Sequence, residues 1–318
     1  MRVTRGILSL VVLLVSAVSA MAQSALPAGS PWLFAGFKGN SEDGVYYALS
    51  LDGYHWTLAN GGKPVVKQTE TGELMRDPFV QRAPDGSFVM VWTWSWRNGT
   101  IGFSSSKDLV DWTKHRELAV NAAQPKAMNT WAPAIYWEAE QKRWLIFWSS
   151  TIPGMFRGDD EGDGGLNHRI WSTTTTDFKT LTPAKVYFDP GYSVIDATLL
   201  ATPHTDAAYH LIFKDERLNP LEKHLLTASG PTLEGPWTKP SEPFSETWSE
   251  GAAIIPVPGG YMAYYDHYRK PQHYGAWFTS DFKAWTDATA KIEFPEGMRH
   301  GSFLQISRAE YERLAAMK

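Results

Sequence analysis

Five short segments of the chain share a pattern, and four of them place an ionisable side chain at the second position. The segments begin at residues 76, 131, 195, 249 and 299 and read RDPFV, WAPAI, IDATL, SEGAA and RHGSF. Three carboxyls and an imidazole brought together would repel and desolvate one another, at a cost in stability. The set therefore indicates a functional site rather than a structural one. The second residues of the five segments, in order, are Asp77, Ala132, Asp196, Glu250 and His300.

Carboxyl groups with separated pKa values can carry out glycoside hydrolysis. One carboxylic acid protonates the departing oxygen, and one carboxylate activates a water molecule. A third carboxylate near the acid raises the pKa of that acid by like-charge repulsion, which keeps it protonated near neutral pH. Asp77, Asp196 and Glu250 could share these tasks, and the pattern alone does not assign a task to each.

The elements that must bring these residues together are short strands. Segments such as SFVMVWTW (87–94), RWLIFWSS (143–150) and YMAYYDHY (261–268) are aromatic or β-branched and are bounded by turn residues. A turn phrase recurs as SLDGYHWT (50–57), SSKDLVDWT (105–113), TTTDFKTLT (174–182), SGPTLEGPWT (229–238) and TSDFKAWT (279–286). Its penultimate Trp or Leu recurs every 48 to 69 residues. Internal repeats at this period, with about four strands each, predict an all-β, five-bladed β-propeller.

The repeat also predicts how the ring closes. MRHGSFLQIS (298–307) reads as the first strand of a blade that then runs out of chain, and residues 31–58 supply three more strands. A composite blade made from the N- and C-terminal strands would leave no open sheet edge. We expect one propeller domain over 30–308, followed by a short C-terminal helix over 309–318.

Composition and charge exclude several classes of protein. Residues 1–22 combine Arg2 and Arg5 with a short apolar run and end in Ala20-Met21-Ala22, which predicts a cleaved signal peptide. The remainder has 28 basic and 34 acidic residues, which argues against nucleic acid or an anionic membrane as partner. The chain has no cysteine, so disulfides and thiolate chemistry are excluded.

The quoted segments resemble glycoside hydrolase family 43, whose members are five-bladed β-propellers. The resemblance covers RDPFV, WAPAIYW, NHRIWSTTTTDFKT leading into VIDATLL, SEGAAII and RHGSF, in the family's order. It implies that Asp77 is the general base, Glu250 the general acid, and Asp196 the residue that tunes the pKa of the acid and orients substrate. It also implies inversion, which requires the base and acid carboxyls to lie roughly 6.5–9.5 Å apart. Two departures, Ala134 after WAP and Ala197 after Asp196, weaken any transfer of substrate preference.

The resemblance also suggests that His300 helps to bind a structural Ca²⁺ or Na⁺ ion in the channel. A histidine hydrogen-bonded within the ring is the alternative, and calcium ordinarily prefers oxygen ligands. The acidic loop 157–169 lacks the ligand spacing of an EF-hand, so a solvated loop is the better interpretation.

Further side chains are candidates for contact with a sugar. Aromatic rings stack on sugars, and charged side chains near the carboxyls could contact hydroxyls. Core packing, ion pairs or surface placement explain these residues equally well. The candidates are Trp131, Trp94, Arg299, Lys214 and His168.

The sequence thus predicts a secreted or periplasmic, monomeric glycoside hydrolase that needs no cofactor. Its expected substrates are oligosaccharides or polysaccharides with α-L-arabinofuranosyl or related pentosyl or galactosyl units. The alternatives are a β-xylosidase or a β-galactosidase or galactofuranosidase of the same fold, and a non-catalytic glycan-binding propeller. A sialidase or a phosphorolytic enzyme would need a cluster of basic residues, and none is evident at the equivalent positions of the five segments.

Overall fold

The strands in the middle of each sheet, such as 44–50 and 143–151, are apolar along nearly their whole length because a neighbouring sheet covers each of their two faces. All residues of 44–50 are buried, and so are all residues of 143–151 except the first. The computed structural model describes residues 26, 29–41, 43–69, 73–156, 162–202 and 205–318. The predicted signal peptide (1–22) lies outside this part of the chain.

The described residues form twenty strands, one α-helix and three short 3₁₀ turns at Asn60–Gly62, Asp163–Gly165 and Thr289–Lys291. In chain order, the strands are β1 (Trp32–Lys38), β2 (Gly44–Ser50), β3 (Thr57–Leu58), β4 (Val66–Lys67), β5 (Arg76–Arg82), β6 (Phe88–Thr93), β7 (Ile101–Ser106), β8 (Arg116–Leu118), β9 (Trp131–Glu138), β10 (Arg143–Thr151), β11 (His168–Thr175), β12 (Lys185–Phe188), β13 (Val194–Ala201), β14 (Tyr209–Asp215), β15 (Leu225–Gly230), β16 (Ser249–Val257), β17 (Gly260–His267), β18 (His273–Thr279), β19 (Thr286–Asp287) and β20 (Met298–Gln305).

These strands form the five antiparallel sheets of a five-bladed propeller, as predicted. Blades 1 to 4 are β5–β8, β9–β12, β13–β15 and β16–β19. Blade 5 has the order β20-β1-β2-β3, with β4 also paired to β2, so both ends of the chain contribute to it. The predicted composite blade is therefore confirmed, and the ring has no open junction between its first and last strands.

The recurrent turn phrase has a common structure in four of the five blades. A Ser or Thr hydroxyl and an Asp carboxylate two residues later accept backbone N–H groups of the turn. Asp108, for example, accepts from the N–H of Val110 at 3.0 Å and of Asp111 at 2.9 Å. The same bonds are made by Asp52, Asp177 and Asp281. The repeat is thus explained by local turn chemistry.

Apolar clusters between adjacent blades form the core, and Trp92, Trp148 and Trp171 are among its largest fully buried side chains. The helix α1 (Arg308–Ala315) begins with a capping box at Ser307 and is shorter than the predicted segment 309–318. Within the described residues no helix is long and apolar enough to cross a membrane.

Candidate active site

The first strand of each blade carries a bulge near its beginning. In β5 the register shifts between Arg76 and Phe79, and corresponding shifts occur in β9, β13, β16 and β20. The bulged residue adopts a left-handed backbone in four blades: φ is 53° at Asp77, 47° at Ala132, 55° at Asp196 and 59° at Gly251. Because the five strands line the axis with the same polarity, the bulges meet at one mouth of the channel.

The bulges correct the sequence alignment of the fourth segment by one residue. The residues paired just before each bulge are Arg76, Trp131, Ile195, Glu250 and Arg299. Glu250 is therefore equivalent to Arg76, and Gly251 is equivalent to Asp77. His300 keeps its predicted place, since the shift in β20 falls between Arg299 and Gly301. The prediction that Glu250 shares the position of the two aspartates was wrong, although its side chain still reaches the same site.

Asp77 is buried and lies between a hydroxyl and an imidazole. Thr93 Oγ1 donates a hydrogen bond of 2.6 Å to Asp77 Oδ2, and His300 Nδ1 lies 3.3 Å from Asp77 Oδ1. Burial alone would raise the pKa of Asp77, but the hydrogen bond and charge of His300 outweigh it and lower that pKa to about 2. Asp77 is therefore ionised and can accept a proton.

Asp196 has the opposite electrostatic environment. Burial, together with the charge of Glu250, raises the pKa of Asp196 to about 7 against the opposing effect of His300. Its Oδ2 accepts a hydrogen bond of 3.1 Å from Gly251 N and lies 3.7 Å from His300 Nδ1. Burial would lower the pKa of His300, but Asp196 and Asp77 together raise it to about 9. The imidazolium therefore joins the two aspartates at neutral pH.

Glu250 is bound by two cations. Lys214 Nζ lies 3.0 Å from Glu250 Oε2, and Arg299 Nη2 donates to Oε1 at 3.1 Å. Burial would raise the pKa of Glu250, but the charges of Lys214 and Arg299 outweigh it and lower that pKa. Glu250 is therefore ionised in the absence of a ligand. The predicted ligand-contact residues Lys214 and Arg299 thus lie in the site, each bonded to the carboxylate that the resemblance makes the acid.

The residues cross-strand from the five pre-bulge positions also belong to the site, and sequence reasoning missed most of them. Ser149 Oγ accepts from Asp196 N at 3.1 Å, and Asp266 accepts a hydrogen bond from Arg299 Nε. Burial raises the pKa of Asp266 despite the neighbouring Arg299. The full set is Thr93, Ser149, Lys214, Asp266 and Phe37. These residues could have been found in the sequence near the end of the second strand of each blade, where that strand pairs with the residue just before the bulge.

An alternating row of charges extends from Glu250 away from the channel. Glu216 lies 2.9 Å from Lys214 Nζ and 2.7 Å from Lys223 Nζ, and all three side chains are buried. Asp163, the acidic residue in the described part (162–169) of the loop 157–169, lies 3.3 Å from Lys223 Nζ. Each buried charge therefore has an opposite neighbour, which reduces the cost of burying the row.

Arg76 is a further cation that the sequence analysis did not select. Its guanidinium lies 4.4 Å from the ring centroid of Phe37 and 4.5 Å from that of Trp96. Its hydrogen bond to Asn40 Oδ1 is long, at 3.4 Å, and the described residues place no carboxylate within ion-pair distance of it. Its charge contributes to the lowered pKa of Asp77 and Glu250. Arg76 thus has donors available for a ligand at the mouth.

The remaining predicted residues lie in different places. Trp131 is at the mouth, where its Nε1 donates to the carbonyl of Trp96 at 3.1 Å. His168 is fully buried beneath it, with ring centroids 5.0 Å apart. Trp94 packs on Trp92 in the core between blades 5 and 1, and its contacts do not support the predicted stacking role.

His168 has no polar partner among the described residues, at either ring nitrogen. Burial, together with the charges of Lys223 and Lys214, lowers the pKa of His168 to about 3. The ring is therefore neutral, and it lies buried beneath the mouth rather than at its surface.

A cation at His300 does not fit the charges around this side chain. Its Nδ1 faces two aspartates, and the raised pKa leaves the ring protonated and repulsive to a metal ion. Across the described residues no group of three or more His, Asp and Glu side chains is arranged to bind a metal. A structural Ca²⁺ or Na⁺ ion near His300 stays a prediction that this arrangement does not favour.

A sequence model related to glycoside hydrolase family 43, described as a probable glycosyl hydrolase domain, matches residues 30–312. The chain belongs to this family. Because the model describes a probable glycosyl hydrolase domain, the match favours a glycoside hydrolase over the alternative of a non-catalytic glycan-binding propeller.

Individual relatives of the chain are distant. The chain is 28% identical over 169 residues to an α-L-arabinofuranosidase of Bifidobacterium longum. This match covers 45% of the chain and only 15% of the length of the relative. An α-L-arabinofuranosidase from Lactobacillus brevis has a TM-score of 0.51 at 16% identity, over 67% of this chain and 72% of its own. An endo-1,4-β-xylanase from Bacteroides thetaiotaomicron has a TM-score of 0.53 at 13% identity, over 85% of this chain and 93% of its own. At these identities the two structures support the fold alone.

Proposed function

We propose that this glycoside hydrolase is a secreted or periplasmic inverting enzyme that removes α-L-arabinofuranosyl or related pentosyl or galactosyl units from plant-type glycans. The observation that carries the proposal is the cluster of Asp77, Asp196 and Glu250 around His300, in which the pKa of one carboxyl is lowered and that of another raised. Separated carboxyl pKa values are what acid–base cleavage of a glycosidic bond requires. The arabinofuranosidase named among the relatives favours the pentoside.

Asp77 is the proposed general base. It is ionised, and its carboxylate is oriented by Thr93 and His300. In the proposed step a water oxygen attacks the anomeric carbon while Asp77 accepts one water proton. The bond between that carbon and the departing oxygen breaks with its electron pair on the oxygen. Direct attack by water inverts the anomeric configuration.

Glu250 is the proposed general acid, which must give a proton to the departing oxygen. In the ligand-free site Lys214 and Arg299 keep it ionised. A glycoside whose oxygens accept hydrogen bonds from these two side chains would take donors away from Glu250 and exclude water. Both changes raise the pKa of a buried carboxyl, so substrate binding would favour protonated Glu250.

Asp196 is a second candidate for the acid, because its pKa of about 7 keeps a large share of it protonated at neutral pH without a ligand. In that arrangement Glu250 would supply the negative charge that raises the pKa of Asp196. The two assignments differ in a testable way: only in the variant that lacks the true acid should the loss of activity depend on the leaving group.

The proposal is tested by hydrolysis of p-nitrophenyl glycosides and of natural oligosaccharides. The panel comprises α-L-arabinofuranoside, β-xyloside, β-galactoside and β-galactofuranoside, with product anomers followed by NMR. We expect cleavage of one of these sugars with inversion, and a loss of at least about 10²-fold in Asp77→Asn on every substrate. Asp111→Asn, at an exposed aspartate, is the matched control and should retain full activity.

The acid is identified by leaving-group dependence. A p-nitrophenolate departs with little help, whereas a sugar hydroxyl needs a proton. The acid variant, Glu250→Gln or Asp196→Asn, should lose about 10²–10⁴-fold on oligosaccharides and much less on the aryl glycoside. Retained activity of Asp77→Asn, or a product of unchanged configuration, would overturn the proposed mechanism.

A further inference from the structure

A second cavity lies at the opposite end of the same five first strands. Gln81 lies four residues after Asp77 in β5, which corresponds to about 13 Å of strand. The cavity has a volume of about 360 Å³, and β5, β9, β13, β16 and β20 all contribute to its wall. It reaches the surface at the exposed residues Ala201 and Pro256. The axial channel thus has a mouth with carboxylates and a mouth without them.

Beside eight aliphatic residues, this second mouth is lined by six aromatic side chains. They come from blades 1, 2, 3 and 5, and each is half-buried, so ring surface is available to a ligand. They are Trp32, Phe79, Tyr136, Trp137, Tyr209 and Phe303. Among the described residues, no Asp, Glu, Lys, Arg or His lines this wall. The chemistry of the wall therefore does not suit a metal ion, a phosphate, a nucleotide or a charged sugar.

Two amide side chains face into the same space. Gln81 lies two residues after Phe79 in β5, and Gln305 lies two residues after Phe303 in β20, so each glutamine shares a strand face with an aromatic ring. Neither amide has a hydrogen-bond partner among the described residues, and both line the cavity. A purely apolar ligand would leave these donors and acceptors unpaired, which is unfavourable.

We propose that this cavity is a second, non-catalytic saccharide-binding site that takes one or two neutral sugar units of an oligosaccharide. Aromatic faces with a few uncommitted amides match a neutral sugar, whose rings present C–H faces and hydroxyl edges. The volume is near the lower limit of small-molecule pockets, which fits a short saccharide rather than a long chain. The inference goes beyond the proposed function, because binding here requires no bond cleavage.

The test is an NMR titration of tryptophan indole N–H groups. The chain has fifteen tryptophans, and the resonance of Trp32 is assigned with Trp32→Phe. Xylotriose, β-1,3-galactotriose and arabinotriose are the probes. Saturable shifts of the Trp32 resonance are expected with at least one of them, and Asp77→Asn should leave these shifts unchanged. Failure of hydrolysis would therefore not mimic failure of this inference.

Variants then test the amides. The double variant Gln81→Ala/Gln305→Ala should bind about tenfold more weakly at Trp32, because two hydrogen bonds are lost. Gln124→Ala, at a half-buried glutamine outside the cavity, should bind as the wild type does. If the double variant does not fold, the single changes Gln81→Asn and Gln305→Asn shorten each amide with less disturbance. Shifts confined to tryptophans of the catalytic mouth, no shift at Trp32, or equal affinity in the amide variants would each overturn the proposal.

Discussion

The charge of Asp196 should determine the protonation state of His300. Asp196 Oδ2 lies 3.7 Å from His300 Nδ1. At an effective dielectric constant of about 20, one unit charge at this distance contributes about 4.5 kcal/mol, or roughly three pKa units as an upper limit. The change Asp196→Asn removes the charge but retains a carbonyl oxygen that can accept from Gly251 N.

We expect Asp196→Asn to lower the pKa of His300 from about 9 by roughly one to three units. The fall is limited because Asp77 remains, with Oδ1 3.3 Å from the same nitrogen. The imidazolium would then be lost near neutral pH rather than well above it. The measurement is a pH titration of imidazole nitrogens by ¹H–¹⁵N NMR, with His300 assigned by His300→Gln.

The matched control is an exposed pair, His55 and Asp52, whose nitrogen and oxygen are 2.6 Å apart. Asp52→Asn should change the pKa of His55 less than Asp196→Asn changes that of His300, because water screens the exposed pair. If His300 titrates near 6.5 in the wild type, or still near 9 in Asp196→Asn, the reasoning about the carboxyl cluster is refuted.

Three further predictions concern stability. The raised pKa of His300 contributes stability that is complete below about pH 6.5 and is lost as pH rises through about 9. The free energy of unfolding, measured with urea, should therefore fall by the order of 3 kcal/mol across this range, and His300→Gln should abolish the fall. A fall that persists in the variant would contradict this prediction. Gly251→Ala should lower the free energy of unfolding by about 3 kcal/mol and abolish activity, because the added Cβ would lie 2.4 Å from His300 Cγ and the φ of residue 251 is 59°. Gly259→Ala is the control: its φ is 84°, no atom lies within 4 Å of the added Cβ, and it should lower the free energy of unfolding by about 1 kcal/mol. Equal melting temperatures of the two variants would exclude the clash. Arg82→Ala should lower the free energy of unfolding by about 1–3 kcal/mol, because Arg82 binds Glu310 of α1 through two hydrogen bonds of 2.9 and 2.8 Å. Glu310→Ala should lower it further, because this change also removes the capping box. Chemical denaturation that gave the opposite order of the two variants would contradict this prediction.

Local turn chemistry made the architecture predictable from the sequence. The Ser/Thr and Asp of the turn phrase bind backbone N–H groups of their own turn, so the residues that signal the repeat act independently of the rest of the chain. Counting the five turn phrases gave the number of blades, although the phrase at 229–238 lacks this Asp. The first-strand segment at 298–307 then indicated the composite blade, since a blade needs its remaining strands from elsewhere.

The site was less predictable because it depends on register and on cross-strand neighbours. A bulge adds one residue to a strand without a unique sequence signature, so SEGAA was aligned one residue away from its structural equivalent. Asp266 reads in YMAYYDHY as an ordinary end of a strand. Its importance follows from its pairing with Glu250 in the adjacent strand and from its bond to Arg299. Pairing of this kind is a tertiary property that no local pattern encodes.

The bulges connect the strain of the fold with the chemistry of the site. Asp77, Ala132 and Asp196 adopt a left-handed backbone that costs side-chain-bearing residues roughly 1–2 kcal/mol each, and two of the three carry carboxyls of the cluster. In the fourth blade glycine occupies the bulge, and there the site uses the preceding residue, Glu250, whose side chain is one carbon longer. Residue 251 must be a glycine, since His300 occupies the space that a Cβ would need. In β5 and β13 the bulge that strains the strand therefore also directs a carboxyl to the axis, and the five interblade cores supply the stability that this arrangement requires.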